Sequence, residues 1–265
     1  MPKTPITYYG GKLNMLKHIL PRIPEHKIYT EAFFGGGAVF FAKEKVESET
    51  INDVNRMVTN FYEVCKTDFE NLKSKIEITL FSRAMYNVAI AIYKMPHLFN
   101  KLQQAWAFYI ATNTGFACNI SSWGYDKYDK RGKAFRNKKL RFDTDIVKRL
   151  ETTQIESNDA CAVIQSRDTE DAFHYVDPPY VTESSVHQGH YSGYTEADYT
   201  KLLDTLSNIK GKFLLSSYPS ALLDFYIEKK GWYSMSFEKP LSAQKSKPSG
   251  TKKRKIEVLT ANYPI

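Results

Sequence analysis

The stretch His174-Tyr175-Val176-Asp177-Pro178-Pro179-Tyr180 carries the residue types in this chain best suited to chemistry. A short apolar run ending in Asp-Pro-Pro-Tyr reads as a buried strand stopped abruptly. Each proline lacks an N–H, fixes its own φ and pushes the residue before it out of the α region. Asp177, Pro178, Pro179 and Tyr180 then stand at a strand's carboxyl end, the edge of an open α/β sheet where ligands sit. They offer a carboxylate, backbone carbonyls and a π-face. A flat heterocycle with an amino group fits that surface, its amine hydrogens taken by the acceptors and its ring stacked on Tyr180. A nucleobase has this form. A turn that merely closes a strand uses the same dipeptides, so the elements around the tetrapeptide must decide.

Three upstream segments supply a second binding surface. In Ile6-Thr7-Tyr8-Tyr9-Gly10-Gly11-Lys12, followed by Leu13, Met15, Leu16, Ile19 and Leu20 at helical spacing, two glycines precede a helix that Pro21 ends. Gly10 lets a ligand approach backbone N–H groups at the positive end of that helix, and Lys12 adds a charge. Lys27 to Phe41 reads as a strand, the turn Phe34-Gly35-Gly36-Gly37, and a helix through about Lys45. Such a turn lets a cofactor lie against bare backbone. It is neither the G-x-G-x-x-G of dinucleotide enzymes nor a P-loop. Glu31 at the strand end would repel a pyrophosphate and suits a cofactor carrying a cationic amino acid. A short second strand ends in Asp53, placed either to accept hydrogen bonds from ribose hydroxyls or to cap the helix that starts near Arg56.

From about Arg56 to Glu156 the character changes. Helical patterns fall at 57–65, 83–94 and 97–111, with no alternating strand signal. A segment from Thr112 to Phe142 interleaves Asn113, Trp123, Tyr125, Tyr128 and Phe135 with Lys127, Lys130, Arg131, Lys133, Arg136, Lys138, Lys139 and Arg141. Eight basic residues within fifteen positions suit phosphate contacts, and the aromatics and amides suit bases. A solvated charged loop is the plainer alternative.

Alternating βα character returns with Ala160 to Ile164 and then the Asp-Pro-Pro-Tyr strand. The polar loop 181–194 is a candidate flap. Glu196–Ile209 is an amphipathic helix, Lys212–Ser217 a buried strand, Leu222–Ile227 helical and Tyr233–Phe237 a strand. Lys252, Lys253 and Arg254 belong to a basic hairpin loop before a final strand, for phosphate contact or plain solvation.

Composition narrows the class. With 25% charged and 14% aromatic residues over 265 positions, the chain is a folded protein long enough for a large α/β domain with an insertion. A net charge of +8 suits a polyanionic partner. Cys65, Cys118 and Cys161 are odd in number and lack Cys-x-x-Cys spacing, which argues against a disulfide framework and a zinc site. His187 and His190 form the one close histidine pair, read as loop residues. With no apolar signal region and no membrane-length apolar run, the expected location is cytoplasmic.

In this order, Tyr8-Tyr9-Gly10-Gly11-Lys12, Glu31 to Gly37, Asn52-Asp53, a helical insertion, Asp177-Pro178-Pro179-Tyr180 and a basic loop before a final strand, the whole chain resembles the Dam-like class of adenine-specific DNA methyltransferases. The resemblance implies a Rossmann-like α/β methyltransferase sheet with helices on both faces. It makes 1–55 and 157–265 the catalytic domain and 56–156 an inserted, mainly helical target-recognition domain. It implies S-adenosylmethionine as cofactor, no metal, double-stranded DNA as partner, and a bacterial or phage setting. Whether a cognate restriction endonuclease accompanies the protein is left open. Carried over by position, Tyr8, Gly10, Lys12, Glu31 and the Phe34–Gly37 turn with Gly35 contact the cofactor, Asp53 its ribose and Asp159 its adenine. Asp177 sits between the cofactor's amino acid and the target base. Asn113, Lys127, Arg131, Arg136, Lys138, Lys139, Arg141, Lys252, Lys253 and Arg254 face DNA. The segment 113–124 lacks the arginine that GATC-methylating relatives carry soon after the Gly-Phe step, so a GATC target is not implied. Related sites that methylate the amino group of cytosine carry Ser-Pro-Pro-Tyr and those acting on protein glutamine carry Asn-Pro-Pro-Tyr. A non-catalytic DNA-binding protein of the same fold would not need Asp177.

Overall fold

Short runs of β-branched and aromatic residues punctuated by Gly, Pro and Asp build one sheet in the computed structural model, which describes residues 4–116, 120, 122–180, 193–240 and 254–265. Its strands are β1 (Ile28–Glu31), β2 (Ser48–Asn52), β3 (Gln154–Glu156), β4 (Ala172–Val176), β5 (Lys212–Ser217), β6 (Tyr233–Pro240) and β7 (Arg254–Ala261), in the order β3-β2-β1-β4-β5-β7-β6. All neighbours are parallel except β7, which runs antiparallel to both β5 and β6. The winding reverses between β1 and β4, in register at Glu31 and Tyr175. That is the switch point of a Rossmann-like sheet, where the strand ends diverge and leave a crevice.

The helices are α1 (Leu16–Ile19), α2 (Ala38–Ala42), α3 (Arg56–Thr67), α4 (Phe69–Glu77), α5 (Arg83–Lys94), α6 (Lys101–Thr114), α7 (Lys130–Leu140), α8 (Asp145–Leu150), α9 (Ala160–Arg167), α10 (Glu196–Leu206) and α11 (Ala221–Lys230). Side-chain alternation along the strands sorts them onto two faces. Tyr175, Leu214 and Leu259 join a core with residues of α1 to α8, whereas their neighbours Val176, Phe213, Leu215 and Val258 join a second core with α9, α10 and α11. Both faces of the sheet are therefore covered.

Helix α6 is the axis of the helical layer. Ala105 to Thr112 are buried without interruption, as expected of a helix surrounded by others. Asn100 and Gln103 start it with a reciprocal capping box. Its residues share a core with the sheet: the Tyr8 and Phe108 rings lie 6.2 Å apart, and Phe34 meets Tyr62 of α3 at 4.7 Å.

The structure corrects several sequence expectations. The helix after the glycine turn stops at Ala42, because Lys43 turns extended and buries its ammonium on Glu49 at 2.6 Å, where Arg149 also pairs. The helix expected over 97–111 begins at Lys101, Pro96–Leu98 forming a separate 3₁₀ turn. Helices α4, α7 and α8 were not anticipated. Nor was β3, which places residues 154–156 in the sheet beside β2. The candidate flap at 181–192, His187, His190, Cys118, Lys252 and Lys253 lie outside the described residues. The two final strands pair as a hairpin across 241–253. Among the described residues no helix is long and apolar enough to cross a membrane.

Candidate active site at the switch point of the sheet

Strand β4 delivers Asp177 to the crevice, and the two prolines end the strand there. The Asp177 carboxylate is loaded on one side. Its Oδ1 accepts from the Lys12 ammonium at 2.7 Å and from the Tyr180 hydroxyl at 3.0 Å, and neither bond reaches Oδ2. Lys12, only 5% exposed, also donates to the Gly10 carbonyl at 3.0 Å and lies 3.5 Å from Glu257 Oε1. Glu257 in turn takes the Tyr180 hydroxyl at 3.2 Å and the Ser216 hydroxyl at 3.4 Å. Burial works against the Lys12 charge, but Asp177 and Glu257 outweigh it and hold the ammonium's pKa above its ordinary value. For Asp177 burial wins: its pKa is raised although Lys12 pulls it down.

On the β1 side, Glu31 accepts the Tyr29 hydroxyl at 2.7 Å and the Phe40 N–H at 3.1 Å through Oε2. Burial pushes its pKa up to about 8, so at neutral pH it is mostly a protonated, neutral acid. The glycine turn is set by packing as much as by ligand access. Gly35 (φ +48°) and Gly37 (φ +64°) adopt left-handed backbone, and a Cβ on them would stand 2.7 Å from the Tyr8 ring and 2.4 Å from the Phe34 ring. Gly10, at φ +76°, has open space where a Cβ would go. Tyr8, Gly10, Lys12, Glu31, Phe34, Gly35, Gly37 and Asp177 to Tyr180 all line one cleft of about 380 Å³.

Asp53 is brought near this cleft but not into its wall. Its carboxylate accepts the Gly35 N–H and the Asn55 N–H, each at 2.9 Å, and so braces the glycine turn. Asn55, not Asp53, caps α3. Asp159 lies farther out, in an adjoining cleft of about 290 Å³ that shares Phe33 and Pro179 with the first region around β1 and β4. There it caps α9 through the Ala162 N–H and pairs with Lys201 at 3.0 Å, which leaves its carboxylate already engaged. The two clefts share lining residues: the first combines acidic groups and backbone, and the second combines Phe33, Val54, Asn158 and Tyr194.

The basic residues of the helical layer divide into two sets. Lys138 donates to Asn113 Oδ1 at 2.7 Å and to the Thr7 hydroxyl, while Asn113 also holds the Thr7 N–H and the Pro5 carbonyl. Lys139 closes the end of α4 by donating to the carbonyls of Glu77 and Thr79. Asn113, Lys138 and Lys139, expected to face DNA, are thus each engaged within the protein. Phe135 is core. Arg136 pairs with Asp129 at 2.7 Å on the exposed side of α7, and Arg131 stacks on Phe116. Lys127, Lys133 and Arg141 are exposed. Arg254 opens β7.

Two site residues were not picked out from sequence. Glu257 is an acid inside the apolar run Ile256-Glu257-Val258-Leu259, and such an inward carboxylate in a strand is itself a signal. Tyr218, just after β5, lines the cleft with its ring 4.1 Å from that of Tyr180. Only its contact across the sheet reveals it.

Comparison with known proteins adds identity to this geometry. A solved structure of precorrin 8w decarboxylase from Methanobacterium thermoautotrophicum aligns over 98% of both chains, at 10% identity and a TM-score of 0.40. The DNA N-6-adenine-methyltransferase of Escherichia phage P1 is 35% identical over 94 residues, which are 35% of this chain and 12% of that protein. The chain thus matches about an eighth of the length of that curated relative. Residues 8–239, from the first tyrosine of the cleft to the end of β6, match the model of the D12 class N6 adenine-specific DNA methyltransferases, and the chain belongs to that family.

Proposed function

We propose that this protein transfers a methyl group from S-adenosylmethionine to the exocyclic N6 of an adenine flipped out of duplex DNA. The observation that carries the reading is the asymmetry of Asp177, one oxygen held by Lys12 and Tyr180 and the other outside those bonds, in a cleft lined by aromatics and glycines. Bound in that cleft, S-adenosylmethionine supplies an electrophilic methyl on a sulfonium.

The chain's own residues do the rest. Asp177 Oδ2 and the Pro178 carbonyl accept the two hydrogens of the adenine amine, which favours a tetrahedral nitrogen with its lone pair freed from the ring. With the cofactor bound, the amine nitrogen would take the methyl as its bond to sulfur breaks, and Asp177 Oδ2 would accept the surplus amine proton. Tyr180 replaces stacking lost when the base leaves the duplex. Lys12 keeps Oδ1 occupied, so that the carboxylate presents its second oxygen to the amine. Glu31, Tyr8 and the glycine turn hold the amino-acid half of the cofactor. The Phe33 and Asn158 end takes the nucleoside, Asp53 supporting the turn between them. Lys127, Lys133 and Arg141 meet phosphates.

The test is to incubate the protein with labelled S-adenosylmethionine and a diverse duplex DNA library and to map modified bases. Label is expected on adenine N6 within one sequence context, and Asp177→Ala is expected to abolish it while cofactor binding stays measurable. Label on cytosine, or undiminished transfer by Asp177→Ala, overturns the reading.

A further inference from the structure

Two neighbouring strands of the sheet finish in a similar way. Strand β4 runs into Asp-Pro-Pro-Tyr, and its parallel neighbour β5 runs into Tyr218-Pro219, where the proline keeps Tyr218 out of the helical region. Each strand therefore sets a tyrosine just beyond its carboxyl end, and the two rings are in contact. A further cleft of about 250 Å³, lined in part by Tyr199, Ser217 and Leu222, shares Pro179, Tyr180 and Tyr218 with the candidate active site. The tyrosine pair thus stands where the two clefts meet. The rings are held unequally. The Tyr180 hydroxyl lies within hydrogen-bond distance of the Asp177 and Glu257 carboxylates, whereas the hydroxyl of half-buried Tyr218 meets the ammonium of an exposed lysine, Lys255. The transfer step described above uses Tyr180 and leaves Tyr218 without a part.

We propose that Tyr218 is the movable second wall of the adenine site: it rests against Tyr180 until a base is extruded and then packs on the base's other face, so that the purine lies between two tyrosines. The inference rests on the reading that an adenine is flipped into this cleft. A purine has two π-faces, and Tyr180 covers one of them. The other is left to water unless a second ring meets it. Tyr218 is the ring within reach, the further cleft gives it space to swing into, and water can replace its tie to Lys255. What Tyr218 contributes is then its aromatic face, and neither its bulk nor its hydroxyl.

The test compares the wild-type chain with Tyr218→Phe, Tyr218→Leu and Tyr218→Ala in single-turnover methylation of duplex DNA, with S-adenosylmethionine affinity and melting temperature measured alongside. Tyr218→Ala and Tyr218→Leu are each expected to lower the methylation rate about 10- to 100-fold, the worth of one base-aromatic stack. Tyr218→Phe, which keeps the ring, is expected to recover most of that loss. Cofactor affinity and melting temperature should barely move, as a merely structural role would not allow. If Tyr218→Ala does not fold, Tyr218→Leu against Tyr218→Phe is the deciding comparison. A leucine as fast as the phenylalanine, a phenylalanine as slow as the leucine, or a leucine at the wild-type rate each overturns the inference and leaves the function reading standing. Duplexes with 2-aminopurine at the target position separate the two failures, since that base brightens on leaving the stack. A wild-type chain that binds such DNA with no change in fluorescence and leaves adenine unmethylated overturns both.

Discussion

The rings of Tyr180 and Tyr218 lie 4.1 Å apart, centroid to centroid, tilted by 54°. A base stacked between them needs each ring about 3.5–4 Å away, so the pair must part by about 3 Å to admit one. Tyr180 is held by Asp177 and Glu257 inside the cleft. Tyr218 is held at the rim by Lys255, whose ammonium meets its hydroxyl at 3.0 Å. Tyr218 is the ring with less to lose by moving.

Tyr180 therefore has two separable roles. Tyr180→Ala removes the stacking face, and turnover is expected to fall about 10- to 100-fold, in line with a loss of one to three kcal/mol of base stacking. Substrates whose target adenine is mismatched, and easier to extrude, should recover part of it. Tyr180→Phe keeps the ring and should lose far less. Equal losses on paired and mismatched substrates would exclude base extrusion as the role of this ring.

Glu31 makes stability depend on pH. Its pKa is raised by burial from 4.5 to about 8, so the folded state keeps a proton that the unfolded state gives up. The contribution is greatest below 4.5 and declines as pH rises toward 8, a loss on the order of a few kcal/mol. Glu31→Gln retains the acceptor for Tyr29 and Phe40 but cannot ionise. Urea unfolding at pH 6 and pH 9 should show the wild-type chain losing more stability than the variant. Parallel losses would mean that Glu31 does not titrate in this window.

The basic residues of the helical layer should separate into two phenotypes. Lys139→Met, which abandons the carbonyls of Glu77 and Thr79, is expected to lower the melting temperature with little change in the salt dependence of DNA binding. Lys127→Ala and Arg141→Ala should leave melting unchanged, and each should reduce the slope of log affinity against log salt by about one. Fluorescence anisotropy across a salt series reads the slopes. Unchanged slopes in both alanine variants would remove these residues from the phosphate contacts.

Gly37→Ala combines positive-φ strain with a Cβ 2.4 Å from the Phe34 ring. The strain alone costs about 1–3 kcal/mol, and the ring must move as well. Thermal unfolding should show a clear drop, and cofactor binding should weaken because Phe34 lines the cleft. A variant as stable as the parent would mean that the turn relaxes freely.

What the sequence disclosed follows from which forces leave a local trace. Proline ended β4 at the residue that matters, and apolar periodicity found α3, α5, α10 and α11, because those signals lie within a few neighbouring residues. Helix α7 was invisible as a helix. Its buried positions are Gly132 and Phe135 among lysines and arginines, too few to form a stripe. Strand β3 is three residues long at the sheet edge and carries no alternation to detect. The reach of Glu257 to Lys12 is set by topology, since β7 runs against its neighbours. The basic residues looked alike in one dimension. Only the fold separates Lys138, locked to Asn113, from Arg141 in solvent.

Among the described strands β7 comes last in chain order yet is laid between β5 and β6. Until it arrives, β6 has no partner and the sheet has a vacant inner berth. A nascent chain that already possesses the glycine turn, Lys12 and the Asp-Pro-Pro-Tyr turn still lacks Glu257 beside them. The carboxylate that completes the ring of groups around Lys12 is thus supplied by the strand that joins the sheet last in chain order, between two strands that precede it.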